Sequence, residues 1–296
     1  MAKKDMLFVY NPKAGKTMIR NNLLDVIDIF IKAGYEVTVR PTQCPGEAVD
    51  IVKNKKAKYD ILACSGGDGT LNEVVQGMTQ CIEKIPIGYI PAGSTNDFAN
   101  SLDIPRNMVQ AAEIVVNGRN YAFDIGTLND APFVYVAAFG LFTEVSYETN
   151  QEMKNMFGHT AYIWEAVKKL TNVRSYHMKV YYDDKFIEDD FLLGMISNSV
   201  SVGGVKNITG TNIKLDDGLF EVTLIKSPQN PIELNLVLAA LMDRSVATDN
   251  VYYFKTGCVR FESDEVVSWT RDGEFGGAHQ RVTVENKPRT LQIRVP

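Results

Sequence analysis

The residues with the most evident chemistry are three glycines and a carboxylate in the stretch Gly66-Gly67-Asp68-Gly69-Thr70. Glycine has no Cβ, so backbone N–H groups in such a turn can approach an anion closely, and phosphate suits them. A carboxylate at Asp68 would repel phosphate unless a divalent cation lay between them, which indicates Mg²⁺ on phosphate oxygens. The alternative is an ordinary glycine turn in which Asp68 and Thr70 cap a helix.

Two further loops have a similar polar, glycine-containing composition. One is Asn11-Pro12-Lys13-Ala14-Gly15-Lys16, and the other is Gly93-Ser94-Thr95-Asn96-Asp97-Phe98-Ala99, which adds hydroxyls, an amide and a second carboxylate. Alone, the lysines would be solvated surface residues, and Asp97 would be a common helix cap. Three such loops together favour a nucleotide site over three independent turns.

The elements around these loops alternate between short apolar runs and segments of helical spacing. We expect strands at 6–10, 35–39, 61–64 and 85–90, and helices at 19–31, 47–55, 71–78 and 98–102. Such alternation predicts an α/β domain with a doubly wound parallel sheet. Ligands bind outside the carboxyl ends of the strands in these sheets, and each of the three loops follows a strand at that edge.

After Phe123-Asp124-Ile125-Gly126 the pattern changes to runs of short strands, which predicts a domain boundary and a C-terminal antiparallel β-sandwich domain. The expected strands are 133–138, 177–182, 191–197, 219–225, 252–255, 259–262 and 281–284, and the expected helices are 160–170 and 231–241. The apolar stretch 153–157 could line an acyl-chain pocket or belong to the core.

Composition and charge restrict the class of protein. The chain has 296 residues, 45% hydrophobic and 23% charged, with a formal net charge of -5. These values predict two soluble globular domains and argue against broad nucleic-acid binding. No apolar run is long enough to span a membrane or to act as a signal peptide, so we expect a cytoplasmic protein. The four cysteines show no metal-ligand spacing and are expected to be reduced.

The three loops, in this order and at this approximate spacing, resemble the diacylglycerol kinase catalytic domain. More narrowly, the chain is similar to bacterial soluble diacylglycerol kinases and YegS-like lipid kinases. The resemblance implies an ATP-dependent lipid kinase that transfers the γ-phosphoryl group to a lipid hydroxyl, with diacylglycerol as the acceptor and phosphatidic acid as the product. It also implies that a last strand returns to the first domain. We therefore expect an ATP-binding domain at 1–124 with about 288–296, a lipid domain at 125–287, and an active site in the cleft between them.

The resemblance further implies a set of ATP-binding residues, with Mg²⁺ as the metal and Asp68 acting through it. These residues are Asn11, Pro12, Lys13, Ala14, Gly15, Thr42, Gly66, Gly67, Asp68, Gly69, Thr70, Asn72, Glu73, Thr95, Asn96 and Asp97. A structural Mg²⁺ is implied at a second place, bound by the Asp217 side chain and the carbonyl groups of Lys214 and Leu219, and Asp216 could share the role of Asp217. The Asp217-Gly218 pair is by itself also a hairpin turn signal.

The resemblance assigns the general base to Asp272-Gly273-Glu274, which by itself could be only a turn. A base needs hydrogen-bond reach to the acceptor hydroxyl, and the sequence leaves the choice between Asp272 and Glu274 open.

Two other functions remain as alternatives. An NAD kinase or another soluble-substrate kinase would share the glycine motif, but we find no second Gly-Ser-Thr-Ala-Tyr-like motif. A non-catalytic nucleotide-binding regulator would be expected to have lost its carboxylates, which are present. The residues leave the acceptor open among diacylglycerol, a sphingoid base, phosphatidylglycerol, undecaprenol or another lipid alcohol. Membrane contact would be peripheral, at the inner face, and the oligomeric state is open, a homodimer included.

Overall fold

The computed structural model describes residues 4–15, 19–55, 58–140, 174–206, 209–210 and 212–296. The expected helix at 160–170 and the apolar stretch 153–157 lie outside these ranges. The chain divides into two compact units, Met1–Ile125 with Pro288–Pro296 and Gly126–Lys287. No helix in the described ranges is long and apolar enough to cross a membrane.

The first unit alternates strands and helices. Its elements are β1 Lys4–Tyr10, α1 Ile19–Lys32, β2 Tyr35–Pro41, α2 Glu47–Lys53, β3 Ile61–Gly66, α3 Asp68–Thr79, β4 Ile87–Pro91, α4 Asp97–Ser101 and α5 Met108–Asn117. Strand β3 is buried along its whole length, as its continuous apolar run predicts, whereas α1 buries one face through Ile19, Val26 and Phe30. The helix α5 is an element that the sequence analysis did not identify.

The strands of this unit form a parallel sheet in the order β2-β1-β3-β4. Their carboxyl ends are in register, because Tyr10 pairs with both Pro41 and Ser65, and Gly66 pairs with Pro91. At the far side of β4, Ile293 near the C-terminus pairs in parallel with Ile87. The expectation of a parallel α/β sheet is therefore confirmed, and every loop that follows one of these strands begins at the same edge.

The second unit is mainly antiparallel. Its elements are β5 Arg119–Leu128, which begins in the first unit, β6 Ala131–Phe133, β7 Val136–Gly140, β8 Tyr176–Tyr182, β9 Lys185–Ser197, β10 Ser201–Val202, β11 Val205–Lys206, β12 Phe220–Lys226, α6 Pro231–Met242, β13 Val251–Thr256, β14 Cys258–Arg271 and β15 Glu274–Val295. The strands pair in the order β13-β12-β9-β7-β14-β15, and β8 pairs with both β9 and β14. The core centres on Phe139, Phe261 and Trp269, whose ring centroids lie 4.8 to 5.7 Å apart.

Several strand boundaries differ from the sequence prediction. The single strand expected at 133–138 is divided into β6 and β7, because Val134 and Tyr135 turn their N–H groups to a side chain instead of a neighbouring strand. The strands expected at 259–262 and 281–284 are parts of the much longer β14 and β15. Their solvent-facing polar residues weaken the apolar pattern while ladder hydrogen bonds continue through them.

Candidate functional site

The three polar loops of the first unit are joined by backbone hydrogen bonds. The N–H of Asn11 donates to the carbonyl oxygen of Ser65 over 2.9 Å, and the N–H of Ala92 donates to that of Gly66 over 2.7 Å. The glycine turn therefore lies between the other two loops. This follows from the aligned carboxyl ends of β1, β3 and β4.

Glycines at the points of contact allow these loops to approach each other more closely than residues with a Cβ atom would allow. A Cβ on Gly15 would lie 1.6 Å from the carbonyl oxygen of Ala92, and Gly15 has a φ of +48°. A Cβ on Gly93 would lie 2.7 Å from the Cα of Gly67. Both distances are shorter than real Cβ contacts, so these positions require glycine.

Helix α3 begins inside this arrangement, and within the described chain no side chain caps its N-terminus. Two other helices are capped by side chains: Asn107 accepts from the N–H of Gln110 at α5, and Asn230 accepts from the N–H groups of Ile232 and Glu233 at α6. An uncapped helix start leaves N–H groups and the positive end of the helix dipole available to an anion. Asp68 therefore does not cap α3, the helix that it begins.

Asp68 instead contacts the loop after β4. Its Oδ2 accepts a hydrogen bond from the Thr95 hydroxyl over 3.1 Å, and its Oδ1 accepts one from the Phe98 N–H over 3.4 Å. Burial raises the pKa of Asp68, and the nearby negative charge of Asp97 raises it further. Asp97 is itself only 1% exposed. Two adjacent buried carboxylates are an arrangement that a divalent cation stabilises.

Asn96 and Tyr89 hold this loop in shape. The Asn96 side chain accepts from the N–H of Gly93 and donates to its carbonyl oxygen, both over 2.8 Å, and Asn96 has a φ of 54°. The Tyr89 hydroxyl donates to the Gly66 carbonyl oxygen over 3.2 Å. Burial holds the pKa of Tyr89 well above its ordinary value, so the hydroxyl remains a donor. Tyr89 could not be identified from the sequence, because a tyrosine in a buried strand has no local polar pattern.

Three other residues of the expected ATP-binding set lie around the same edge. Thr42 is buried beside the end of β1, and its N–H donates to the carbonyl oxygen of Tyr10 over 2.9 Å. Lys13 is exposed, and its N–H donates to the side chain of Asn11. The Asn11 side chain in turn lies 3.5 Å from the Thr70 hydroxyl.

Asn72 and Glu73 point elsewhere. Asn72 is buried one turn into α3, where it accepts from the Gln76 side chain. The Glu73 carboxylate accepts from the N–H groups of Gly46 and Ala48 over 2.8 and 3.1 Å. Glu73 therefore caps the start of α2, a contact between elements distant in sequence.

In the second unit, Asp272-Gly273 forms the two-residue turn between β14 and β15, where Arg271 pairs with Glu274. The φ values of Asp272 and Gly273 are 50° and 82°, as such tight hairpins require. The turn expected from this motif is therefore present, as a two-residue hairpin turn.

The Asp272 carboxylate is 6% exposed and accepts three backbone hydrogen bonds. Its Oδ2 accepts from the N–H of Val134 over 2.7 Å, and its Oδ1 accepts from Tyr135 and Val136 over 2.9 and 3.1 Å. Its own N–H donates to the Val136 carbonyl oxygen. Asp272 thereby anchors the hairpin to the start of β7, whereas Glu274 is exposed.

The turn expected to bind a structural Mg²⁺ precedes β12. Asp217 is exposed there, and its Oδ1 accepts from the N–H of Leu219 over 3.1 Å. Lys214 is also exposed. Carboxylate and carbonyl oxygens are the kind of ligand that coordinates Mg²⁺. Among the described residues there is no cluster of three or more His, Cys, Asp or Glu side chains that could hold a metal, so any Mg²⁺ would also need backbone, substrate or water oxygens.

Comparison with known families assigns both parts of the chain. The family model for the diacylglycerol kinase catalytic domain matches residues 5–128. The model for the YegS C-terminal NAD kinase beta sandwich-like domain matches residues 136–295. The two models together cover both of the units described above.

Among curated relatives, a diacylglycerol kinase of Bacillus subtilis (strain 168) is 32% identical over 271 residues, covering 91% of this chain and 89% of the relative. A diacylglycerol kinase of Staphylococcus carnosus (strain TM300) is 32% identical over 279 residues, covering 93% and 90%. A crystal structure of a diacylglycerol kinase from Bacillus anthracis str. Sterne has a TM-score of 0.78 at 20% identity, covering 100% of this chain and 98% of that one. The structural likeness concerns the fold.

The relatives extend over nearly the whole chain, and the resemblance inferred from the three loops is confirmed. The chain belongs to the diacylglycerol kinase family, with a catalytic domain of that family followed by a YegS-type β-sandwich-like domain.

Proposed function

We propose that this protein is an ATP-dependent diacylglycerol kinase, which transfers the γ-phosphoryl group of ATP to the diacylglycerol hydroxyl and gives phosphatidic acid and ADP. The observation that carries the proposal is the uncapped start of α3, which lies between two loops that glycines allow to pack closely. There Asp68 accepts a hydrogen bond from the Thr95 hydroxyl. The family relatives, which are named diacylglycerol kinase, support this acceptor.

Phosphoryl transfer needs mainly positioning and charge neutralisation. The N–H groups at Gly67 to Thr70 would bind phosphate oxygens, since they begin a helix that no described side chain caps. The loop 11–15 and Thr95 flank this turn and would restrict where the phosphates lie. Gly67 packs closely against Gly93, which leaves no room for a Cβ at Gly93.

Asp68 and Asp97 would hold Mg²⁺ together with phosphate oxygens, because their buried adjacent carboxylates favour a cation. When bound, Mg²⁺ neutralises charge that develops on the transferred phosphoryl group. Thr95 would orient the Asp68 carboxylate through its hydroxyl. We also propose a structural Mg²⁺ at Asp217 with the carbonyl groups of Lys214 and Leu219.

Glu274 is the better candidate for the general base. Both oxygens of Asp272 already accept backbone N–H groups, so taking a proton there would sacrifice at least one buried hydrogen bond. Glu274 follows in the same hairpin and is exposed to an incoming hydroxyl. In this mechanism the acceptor oxygen bonds to the γ-phosphorus, its proton passes to Glu274, and ADP leaves. Asp272 is the positioning residue.

Because the acceptor is a membrane lipid, we propose that the protein acts in the cytoplasm in peripheral contact with the inner face of the membrane. A homodimer remains part of the proposal, and sedimentation analysis would test it. Vesicle flotation with and without anionic lipid would test the membrane contact. Recovery of the protein only in the unbound fraction with both vesicle types would contradict that contact.

The test of function is transfer of label from [γ-³²P]ATP to dioctanoylglycerol in mixed micelles with Mg²⁺, with NAD as a parallel acceptor. We expect labelled phosphatidic acid and no labelled NAD. Glu274→Gln should lower turnover about 10²- to 10⁴-fold, which is the usual contribution of a general base. Its Tm should equal that of the wild type. The matched control is Glu83→Gln, an exposed carboxylate between α3 and β4.

Asp272→Asn separates the two roles of the hairpin. An amide presents an N–H₂ group to buried N–H donors, so we expect a lower Tm as well as lower turnover. If Asp272→Asn abolished turnover at an unchanged Tm while Glu274→Gln stayed active, the base would be Asp272. Label on NAD alone would replace the lipid kinase with an NAD kinase, and no label on either acceptor would favour a regulatory module.

A further inference from the structure

Strand β2 is the last strand of the parallel sheet in the first unit. It pairs with β1 along one side in continuous register, and among the described residues no strand pairs with its other side, the outer edge. Its sequence is Tyr35-Glu36-Val37-Thr38-Val39-Arg40-Pro41. An edge of this length presents backbone N–H and C=O groups to any strand that lies beside it, and native proteins usually cover or pair such edges.

The backbone groups at the outer edge belong to alternate residues of β2. The N–H of Thr42 donates to the Tyr10 carbonyl oxygen over 2.9 Å, so the even-numbered residues of the strand bond to β1. The N–H and C=O groups of Val37 and Val39 therefore point away from the sheet. A further strand can continue the sheet only by bonding to these residues and to those at the strand ends.

The side chains of β2 are complementary to a second, antiparallel copy of the same strand. When Thr38 lies opposite Thr38 of the second copy, Val37 lies opposite Val39, and their outward N–H and C=O groups bond each other. In this register Glu36 lies opposite Arg40 at both ends of the pair. Both side chains are exposed, and directly opposed unlike charges stabilise a strand pair. A shift by one residue loses the backbone bonds, and a shift by two residues separates the charges.

Helix α1 adds apolar surface beside the same edge. Its Leu24 and Ile31 side chains are 81% and 57% exposed, and Ile27 between them is half-buried. The helix buries Val26 and Phe30 and contacts α5 on one side. Because a connection between parallel strands through a helix is right-handed, Leu24, Ile27 and Ile31 lie on the other side of α1, which faces outward past β2.

We propose that the outer edge of β2 pairs with the β2 strand of a second copy of this chain, antiparallel and about a two-fold axis at Thr38. The two parallel sheets would then form one continuous sheet, with the two α1 helices on the same face and their apolar sides toward each other. A different protein would have to present both charges in the reverse order, whereas a second copy supplies them by symmetry. Such a contact uses the same surface on both copies, so it closes as a dimer.

Charge reversal tests the register. In Glu36→Arg both charged positions of the strand are positive, and in Arg40→Glu both are negative, so like charges would face each other at two places. Sedimentation velocity should give a dimer Kd about 30-fold higher for each single variant, because two pairs change from attractive to repulsive. An equimolar mixture of the two single variants should recover the wild-type Kd, and so should the double variant Glu36→Arg/Arg40→Glu.

A cysteine at the two-fold axis gives a test that does not depend on charge. Thr38 and its symmetry mate would be a non-hydrogen-bonded pair with Cα atoms about 4.5 Å apart, which a disulfide can bridge. Thr38→Cys should therefore form covalent dimers on mild oxidation. The matched control is Glu83→Cys, at an exposed position between α3 and β4. It should form no more covalent dimer than the wild type, in which Cys44 and Cys258 are exposed.

A wild type that sediments as a monomer at every concentration would overturn the inference. An unchanged Kd in both single charge variants would overturn it too, and so would a mixture that stays monomeric after each variant alone has lost the dimer. If a charge variant does not fold, absence of covalent dimers in Thr38→Cys decides against the pairing by itself. None of these measurements uses turnover, so their failure is distinguishable from failure of the proposed kinase activity.

Discussion

Substitution of Gly93 by alanine tests whether close packing of the loops sets the geometry of the phosphate site. The added Cβ would lie 2.7 Å from the Cα of Gly67 and 2.8 Å from the Oδ1 of Asn96. The first neighbour is backbone at the start of α3 and has no rotamer to change. The second already bonds the N–H of Gly93, so it also has little freedom.

The size of the effect follows from the contact distance. Carbon atoms in contact normally lie at least 3.5 Å apart, so the two loops would have to separate by about 0.8 Å. Displacements of about 1 Å at a reacting centre can lower rates about 10²-fold. Overpacking of this kind costs about 1–3 kcal/mol of stability. We therefore expect Gly93→Ala to lower kcat/KM for ATP about 10²-fold and also to lower Tm.

The assay is steady-state transfer from ATP to dioctanoylglycerol, with Tm measured on the same samples. Gly34→Ala is the control: it forces alanine to a φ of +89°, but nothing lies within 4 Å of its Cβ, and it precedes β2 at the opposite edge of the sheet. It should cost about 1–2 kcal/mol in stability and leave kcat/KM unchanged. If Gly93→Ala loses no more kcat/KM than Gly34→Ala at a comparable loss of Tm, close packing of the two loops does not set the geometry of the phosphate site.

Three further predictions concern charge and hydrogen bonding. Asp68→Asn should abolish turnover, yet raise Tm at neutral pH when no nucleotide is present. Because the pKa of Asp68 is raised in the folded protein, the wild type should lose stability as pH rises through that pKa. The variant should lack this loss, and thermal melts across pH would show the difference. At a hundredfold excess over its Kd for the turn at Asp217, Mg²⁺ should stabilise the wild type by about 2.7 kcal/mol more than Asp217→Asn, measured as a larger rise in Tm, and equal rises would remove Mg²⁺ from that turn. Tyr89→Phe should lower the free energy of unfolding by about 0.5–1.5 kcal/mol in urea titration with turnover nearly retained, and unchanged stability would show that the bond to Gly66 contributes nothing.

In the Asp272-Gly273-Glu274 hairpin, the local sequence is sufficient to predict the turn but not the partners of the Asp272 carboxylate. Two adjacent residues with positive φ favour Asp-Gly, so the turn follows from neighbours in sequence. The Asp272 carboxylate, in contrast, bonds N–H groups at residues 134–136, more than 130 positions away. Only the pairing of β7 with β14 brings them together, and our proposal that Asp272 is a positioning residue depends on this long-range contact.

The contacts of Glu73 and the division between β6 and β7 also depend on residues that are distant in sequence. Glu73 belongs to the helix of the glycine motif, yet its carboxylate caps α2 because α2 packs against α3. The strand expected at 133–138 is interrupted because Asp272 binds its N–H groups. Neither partner is close in sequence, so no local propensity or period could have revealed these contacts.

The amino-acid sequence by itself determined the parallel α/β domain, the strand-rich second domain, the three loops and the family they resemble. These features depend on local properties: apolar period, glycine content, and the order of short motifs. The tertiary structure decided which predicted residues meet at one edge, which carboxylates already have backbone partners, and that the outer edge of β2 is unpaired in the described chain. Those outcomes depend on strand register and burial, which are set by contacts between residues far apart in the chain.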